Sequence, residues 1–460
     1  NNKLKEKEKS GWNANGFIES SWGAYADDLR KIVKENPQEM VELILENKDR
    51  VLSVYIDSVF EGLEISERLN EIEFTTLEKF MLSFPYDMES HRASYFCRII
   101  EKADRTDWCP EIFGQLIEIG LKHRDPKLGM PNVTNDRDEE MKSCLMLRSN
   151  AWNCVRGRAA AAIAHLLWED EKLFLRFQDT IDRLVQDENP AVRFASMEAL
   201  WPSYNISKEW TEEKIMYLYE SDIRMAGFYD SKNMFFRLYP RYGERVLNIV
   251  KNCFESEDEE LVKVGGYAVC EFYIQYNEFA EIMNTVGSKS EEQITAILDM
   301  VIVYMGVEEY REKAKAIILS YKDVDVKVEN SLSRIFYDEY VDCKRDREFL
   351  LEFMKTLVSR RVVRAFVHYL EKNAVSVVSY ADIIFQLCEN ILQIDSAELR
   401  KQWGLEEEVS KLIITLYDET ANSDIIKEKK IAAKCLDLWD IMFEKQLNSV
   451  RKISRKLMER

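Results

Sequence analysis

Turn-forming residues are scarce in this sequence, with 15 glycines and 8 prolines among 460 residues. That scarcity excludes folds built from many short strands, each of which needs a turn with its own φ/ψ chemistry. The prolines stand at Pro37, Pro85, Pro110, Pro126, Pro131, Pro190, Pro202 and Pro240. Each is expected to mark the start or stop of an apolar period, and none follows Pro240. No apolar run approaches the roughly 18 residues that a membrane span requires, so no membrane partner is expected. Histidine is limited to His91, His123, His165 and His368. No two are near each other in sequence, so a histidine-based metal or triad site would have to be assembled from distant segments.

Several chemical signatures are also missing. The chain holds no G-x-x-x-x-G-K-[S/T] phosphate loop, no G-x-S-x-G elbow, no H-E-x-x-H and no C-x-x-C. These absences lead to the expectation of a non-enzyme without a cofactor or metal. The nine cysteines lack paired spacing and read as reduced thiols in helical cores, which fits a cytoplasmic location. Cys154, beside Arg156, is read as a small buried apolar residue or, less simply, as a low-pKa thiol. The first residues, Asn1-Asn2-Lys3-Leu4-Lys5, include neither Met nor an apolar leader, and the chain reads as a portion of something longer.

Apolar and charged residues are abundant, at 46% and 32%. The apolar ones recur with a helical period. Ile112, Phe113, Leu116, Ile117 and Leu121 form one stripe. Leu173, Phe174, Phe177, Ile181, Leu184 and Val185 form a second, and Val409, Leu412, Ile413, Leu416 and Tyr417 a third. Two-residue alternation is nowhere sustained, so the fold class is all-α.

A longer repeat overlies this period. Asp187-Glu188-Asn189-Pro190-Ala191-Val192-Arg193, followed by Ala195, Ala199 and Leu200, reads as the turn and second helix of a two-helix repeat. Pro190 suits a first helical turn, and Asp187 or Asn189 suits its cap. Val155-Arg156 with Ala159, Ala162, Ile163, Leu166 and Leu167 repeats the pattern, Arg156 and Arg193 standing 37 residues apart. A third copy begins at Leu261-Val262-Lys263 and a weaker fourth at Asp325-Val326-Lys327-Val328. The expected architecture is a right-handed α-solenoid of degenerate HEAT-like two-helix repeats. The divisions are a linker or disordered stretch at 1–20, N-terminal repeats or a cap at 21–122, and an insertion loop at 123–150. A repeat core at 151–340 and C-terminal repeats with a basic cap at 341–460 follow. A short helix over Glu139–Leu147 is expected inside the insertion.

The net charge of −19 weighs against a general nucleic-acid binder. A protein partner is therefore expected, with nucleic acid as the alternative. Candidate contacts fall into three sets. Arg156 and Arg193 either pair with turn carboxylates such as Asp187 from a neighbouring unit or form a positive ridge facing an acidic partner. Among the dense aromatics between Trp201 and Tyr242, Trp210, Tyr229 and Tyr239 are candidates for a recognition surface. Most of that group serves as core. The basic clusters are Arg360, Arg361 and Arg364 on one helical turn, Lys427 to Lys434, and a C-terminal helix bearing Arg451 and Arg455. Each is otherwise a solvated face. The Gly265-Gly266 pair reads as a site of close helix packing, and the acidic run Glu255–Glu260 as a complement to a helix N-terminus.

The order Asn153-Cys154-Val155-Arg156-Gly157 with Ala159-Ala160, then Leu166-Leu167-Trp168, Asn189-Pro190-Ala191-Val192-Arg193 and Gly265-Gly266-Tyr267-Ala268 resembles a known family. It is similar to the HEAT-like C-terminal region of large bacterial STAND and NACHT-type ATP-binding defence proteins. The resemblance covers about 150–290 well and the flanks only in general character. It implies a sensor or scaffold module whose NTPase and effector domains lie elsewhere, since neither set of motifs occurs in this sequence. An assembly scaffold uses the same surfaces and is a further reading.

Overall fold

The computed structural model describes residues 22–86, 91–126, 143–322, 324, 328–342, 344–399 and 404–450. The expected linker at 1–20 and the basic end with Arg451 and Arg455 lie outside these residues, as do Asp325-Val326-Lys327. Every regular element among the described residues is helical, which matches the all-α reading. The chain divides into two compact units, 1–241 and 242–460. That division falls inside the stretch 151–340 expected to form one repeat core.

Unit one contains α1 (Trp22–Glu35), α2 (Pro37–Glu46), α3 (Ser53–Ile65), α4 (Phe74–Ser83), α5 (Arg92–Lys102) and α6 (Pro110–Lys122). Then come α7 (Cys144–Asn153), α8 (Val155–Glu169), α9 (Phe174–Val185), α10 (Pro190–Ile206), α11 (Lys208–Ser221) and α12 (Ser231–Tyr242). Packing follows an alternating order. The series α1, α3, α5, α8 and α10 forms one layer, each helix against the next. The series α2, α4, α6, α9 and α11 forms a second. Helix α7 packs against α8 and α10.

Unit two comprises α13 (Glu244–Phe254), α14 (Glu259–Tyr276), α15 (Ala280–Asn284), α16 (Glu291–Tyr304), α17 (Arg311–Ser320) and α18 (Glu329–Tyr337). It continues with α19 (Arg347–Phe353), α20 (Val363–Asn373), α21 (Ala381–Leu392), α22 (Ser396–Leu399), α23 (Leu405–Thr420) and α24 (Ile426–Glu444). Here α14, α16, α18, α20 and α23 follow one another in contact, as do α17, α19, α21 and α24.

Local chemistry explains where the helices begin. Pro37, Pro110 and Pro190 occupy first turns, where the missing N–H breaks no helical bond. The Asn189 side chain accepts from Ala191 N at 2.9 Å, and Asp187 accepts from Asn189 N at 2.9 Å. The acidic run ends in a cap, Asp258 accepting from Glu260 N and Leu261 N, with Glu259 and Glu260 in the first turn of α14. Ser290 and Gln293 make a reciprocal capping box at α16.

Two proline expectations are corrected. Pro202 lies inside α10 and Pro240 inside α12. The Pro202 ring removes the N–H that would bond the Glu198 carbonyl. It is accommodated in a packed helix, and the neighbouring Ser203 hydroxyl donates to Ala199 O at 2.7 Å. The end of the insertion is also corrected, because its last seven residues, 144–150, belong to helix α7, capped by Ser143 accepting from Met146 N at 3.2 Å. At its start, Asp125 is tied to α8, its carboxylate accepting Val155 N at 2.9 Å and its carbonyl accepting Arg156 N at 3.2 Å. Of the short helix expected at Glu139–Leu147, residues 139–142 lie outside the described set.

A set of tertiary bonds in both units joins residues about one helical pair apart. Arg30 reaches Glu61 at 2.6 Å, Asn70 reaches Asp104 at 2.9 Å, and Gln275 reaches Tyr304 at 2.6 Å. Arg311 reaches Tyr340 O at 2.9 Å, and Asn390 reaches Met354 O at 2.8 Å. These separations run from 29 to 36 residues. The glycine pair behaves as expected. A β-carbon at Gly265 would overlap the Phe254 backbone, and one at Gly266 would meet Ala296 Cβ.

Candidate functional site

Arg156 and Arg193 take the structural alternative. The Arg156 guanidinium pairs with Asp187 and donates from Nε to Gly120 O at 2.9 Å. Arg193 donates to the Asp187 carbonyl at 2.8 Å and approaches Asp222 at 3.6 Å. Each arginine thus joins a layer-one helix to a turn of the next pair. Trp210 is half-buried, edge-on to Phe174 at 5.4 Å. Tyr239 is half-buried on α12. Of the three aromatic candidates, only Tyr229 is exposed, at 62%.

The arginine triplet is divided by the backbone. Arg360 and Arg361 end a 3-10 turn, Val358–Arg361, whereas Arg364 lies in α20, which starts at Val363. Within this turn the Ser359 hydroxyl lies within donating distance of Met354 O, at 3.2 Å, and of Thr356 O, at 2.9 Å. Arg360 turns inward to Asn390 at 2.9 Å, and the Arg364 guanidinium lies over Gly404. The lysine cluster on α24 is a solvated face in which Lys434 pairs with Glu389 at 2.7 Å.

Buried chemistry is structural where it can be traced. Burial pushes the Cys154 thiol up to about 12, and its sulfur accepts Gly157 N at 3.3 Å. The low-pKa reading of this thiol is therefore corrected. Burial lowers His123, whose Nδ1 accepts Asp125 N at 3.1 Å. His165 Nε2 lies 3.4 Å from Ala103 O. Among the described residues, no group of three or more His, Cys, Asp or Glu side chains is placed to hold a metal ion. No described helix is long and apolar enough to cross a membrane.

The polar feature that remains runs along layer one of unit one. It starts at the Arg30–Glu61 pair and passes Tyr95 to the Arg98–Glu64 pair, 3.3 Å apart. Glu64, Arg98, Glu101, Lys102 and Arg158, from α3, α5 and α8, line a pocket of about 360 Å³. Lys102 donates to the Glu64 carbonyl at 2.7 Å rather than to a carboxylate. Next comes Glu198 on α10, which accepts Trp152 Nε1 at 3.2 Å. Burial holds its carboxyl above the usual range. The Trp152 bond works against that shift, the Glu101 charge adds to it, and the Arg158 charge opposes it. Tyr229 closes the row, its hydroxyl pushed up by burial and by the Glu198 charge, with its ring 6.1 Å from Trp201.

Trp152 is 40% exposed and carries Arg148 over its ring at 5.7 Å. The row therefore ends on two accessible aromatic rings beside half-buried charges. A second, apolar groove of about 590 Å³ lies at α1 and α2, lined by residues such as Tyr25, Ile32, Val51 and Tyr55. It has few polar groups to orient a ligand.

Sequence reasoning reached Tyr229 but missed Arg158, Trp152 and Glu198. A signal for Arg158 was present, since it stands two residues after Arg156. That spacing points the two side chains to opposite sides of α8, so they cannot share a partner. These features describe an all-helical protein whose best-defined surface feature is a charged row edged with aromatic rings. Neither a protein-family model nor a curated protein matches the sequence.

Proposed function

We propose that the chain is a right-handed α-solenoid of HEAT-like two-helix repeats that recognises another protein through the layer-one row of unit one. The architectural part is supported by the alternating layers and by the bonds spaced 29 to 36 residues apart. The observation that carries the recognition reading is the placement of exposed Trp152 and Tyr229 on either side of half-buried Glu198. Aromatic anchors beside desolvated charges are the usual centre of a protein interface. The resemblance to the sensor regions of bacterial STAND and NACHT-type proteins extends the reading to a cytoplasmic sensor or scaffold of an antiviral defence NTPase. An assembly scaffold and a nucleic-acid-binding repeat protein are the alternatives, and the second is disfavoured by the net charge of −19.

The test is affinity capture from phage-infected and uninfected bacterial lysates. The wild-type chain and the Trp152→Ala/Tyr229→Ala double variant serve as baits. A specific protein is expected on the wild type from infected cells and at least about tenfold less of it on the double variant. Equal capture by both baits would sink the proposed surface. Binding of duplex or single-stranded nucleic acid at low salt, with no protein captured, would favour the nucleic-acid alternative.

A further inference from the structure

Among the described residues, Arg158 is the one cation of the pocket with neither an ion pair nor a hydrogen bond, since Arg98 pairs with Glu64 and Lys102 donates to a carbonyl. Its Nε is buried without a hydrogen-bond acceptor, and Arg98 Nε beside it is in the same position. The two carboxylates of the pocket do not satisfy it. Glu64 is taken by Arg98 at 3.3 Å. Glu101 acts on Arg158 only through its charge, without a hydrogen bond. Burial, followed by the like charge of Arg98, makes the charged form of Arg158 less favourable than in water.

Holding a half-buried guanidinium next to another without an acceptor costs stability. A purely structural role for this arginine does not account for that cost, because it ties no turn and caps no helix. Arg156, two residues earlier, shows the contrast, since it bonds both Asp187 and Gly120 O.

The Arg158 Nε is buried, and its two Nη groups offer a planar pair of donors that matches two oxygens of a carboxylate or phosphate. Lys102 adds a point charge at the rim, and about 360 Å³ accommodates such a group but not a large organic ligand. We infer that the pocket formed by Arg98, Lys102 and Arg158 is a subsite for an oxyanion, a carboxylate or a phosphate, gripped mainly by Arg158. The inference deepens the recognition reading, in which the oxyanion belongs to the partner and docks beside Trp152. The chemistry is the same for an acidic side chain of a peptide and for free phosphate.

The 460-residue chain is titrated with inorganic phosphate and, separately, with an acetylated and amidated Gly-Glu-Gly peptide, at ionic strength matched with chloride. Binding is read by calorimetry and by the shift in melting temperature. At least one probe is expected to bind, with Arg158→Gln lowering its affinity by about tenfold or more. Exposed Lys251→Gln in unit two is expected to bind as the wild type does. Without either probe, Arg158→Gln should melt at or above the wild-type temperature. Phosphate alone binding points to a phosphate source, and the peptide alone to a carboxylate source.

The subsite is overturned if neither probe exceeds the chloride control, if Arg158→Gln binds like the wild type, or if it melts several degrees lower without anion. Arg98→Gln gives an independent reading, and an unchanged affinity there would remove the paired-arginine geometry. Anion binding that depends on Arg158 together with failed partner capture would keep the subsite and reject the recognition reading. The reverse outcome would reject only the subsite.

Discussion

Asp346 is a heavily committed side chain of unit two, with 1% of the residue exposed. Its carboxylate meets Lys315 at 2.8 Å, Arg345 at 3.0 Å and Arg311 at 3.4 Å, and accepts Asp342 N at 2.8 Å. Burial alone would raise its pKa. The hydrogen bonds from Arg345 and Lys315, the Asp342 amide and the Lys315 charge outweigh that effect and leave it below the usual range. Asp346→Asn is therefore expected to cost about 2–3 kcal/mol in urea unfolding, because buried Arg311 and Lys315 keep only the exposed carboxylates of Glu308 and Glu312 as counter-charges. The sign of the pH effect follows from a lowered native pKa. The contribution is fully present above the unfolded value of about 3.9 and is lost as pH falls through the lower native value. Wild-type unfolding midpoints should therefore drop toward those of Asp346→Asn on acidification below about pH 4, whereas parallel decline of the two proteins would contradict the assignment. The sequence places Asp346 between Arg345 and Arg347, but the partners that bury it come from α17 and are invisible in local order.

The hairpin turn with Asp187 shows which parts of an element the sequence revealed. Asn189-Pro190 announced the helix start, and Asp187 was correctly matched to Arg156, because caps and prolines act locally and the repeat supplied the register. Asp187→Ala removes that ion pair and the bond to Asn189 N, and is expected to cost about 1.5–3 kcal/mol, read by chemical denaturation. Two glycines make opposite predictions on helices of similar pattern. Gly265→Ala forces a methyl into the Phe254 backbone and is expected to destabilise by about 1–3 kcal/mol. Gly114→Ala on α6 meets nothing within 4 Å and should stabilise by about 0.5–1 kcal/mol. Melting temperatures that move the same way in both variants would contradict the packing described. The break at Val362 was not legible, and the helix over Cys144–Asn153 was legible only at its first turn, where the short helix expected over Glu139–Leu147 overlaps it. The first has no signal in the apolar period, and the rest of the second is a short element with little apolar periodicity. The row through Arg158 and Glu198 was equally hidden, since its members come from different helices and resemble ordinary surface charges one at a time.

At the scale of the whole molecule, the order of helix contacts matters more than any one contact. Within each unit, a helix packs chiefly on its sequence neighbours and on the next member of its own layer. Contacts this local support stability that sums over adjacent pairs rather than one all-or-none core. Equilibrium unfolding is therefore expected to be broad, with a urea slope well below that of a single cooperative domain of equal length, and with amide exchange protection that differs between pairs. A single steep transition seen alike by every probe would refute this expectation.

The cross-bonds spaced 29 to 36 residues apart also bear on how the protein carries load. Each bond of this set spans about one pair, so each ties a single junction. If the proposed solenoid is right, such a unit is expected to yield to a steady pull in several small extensions rather than in one.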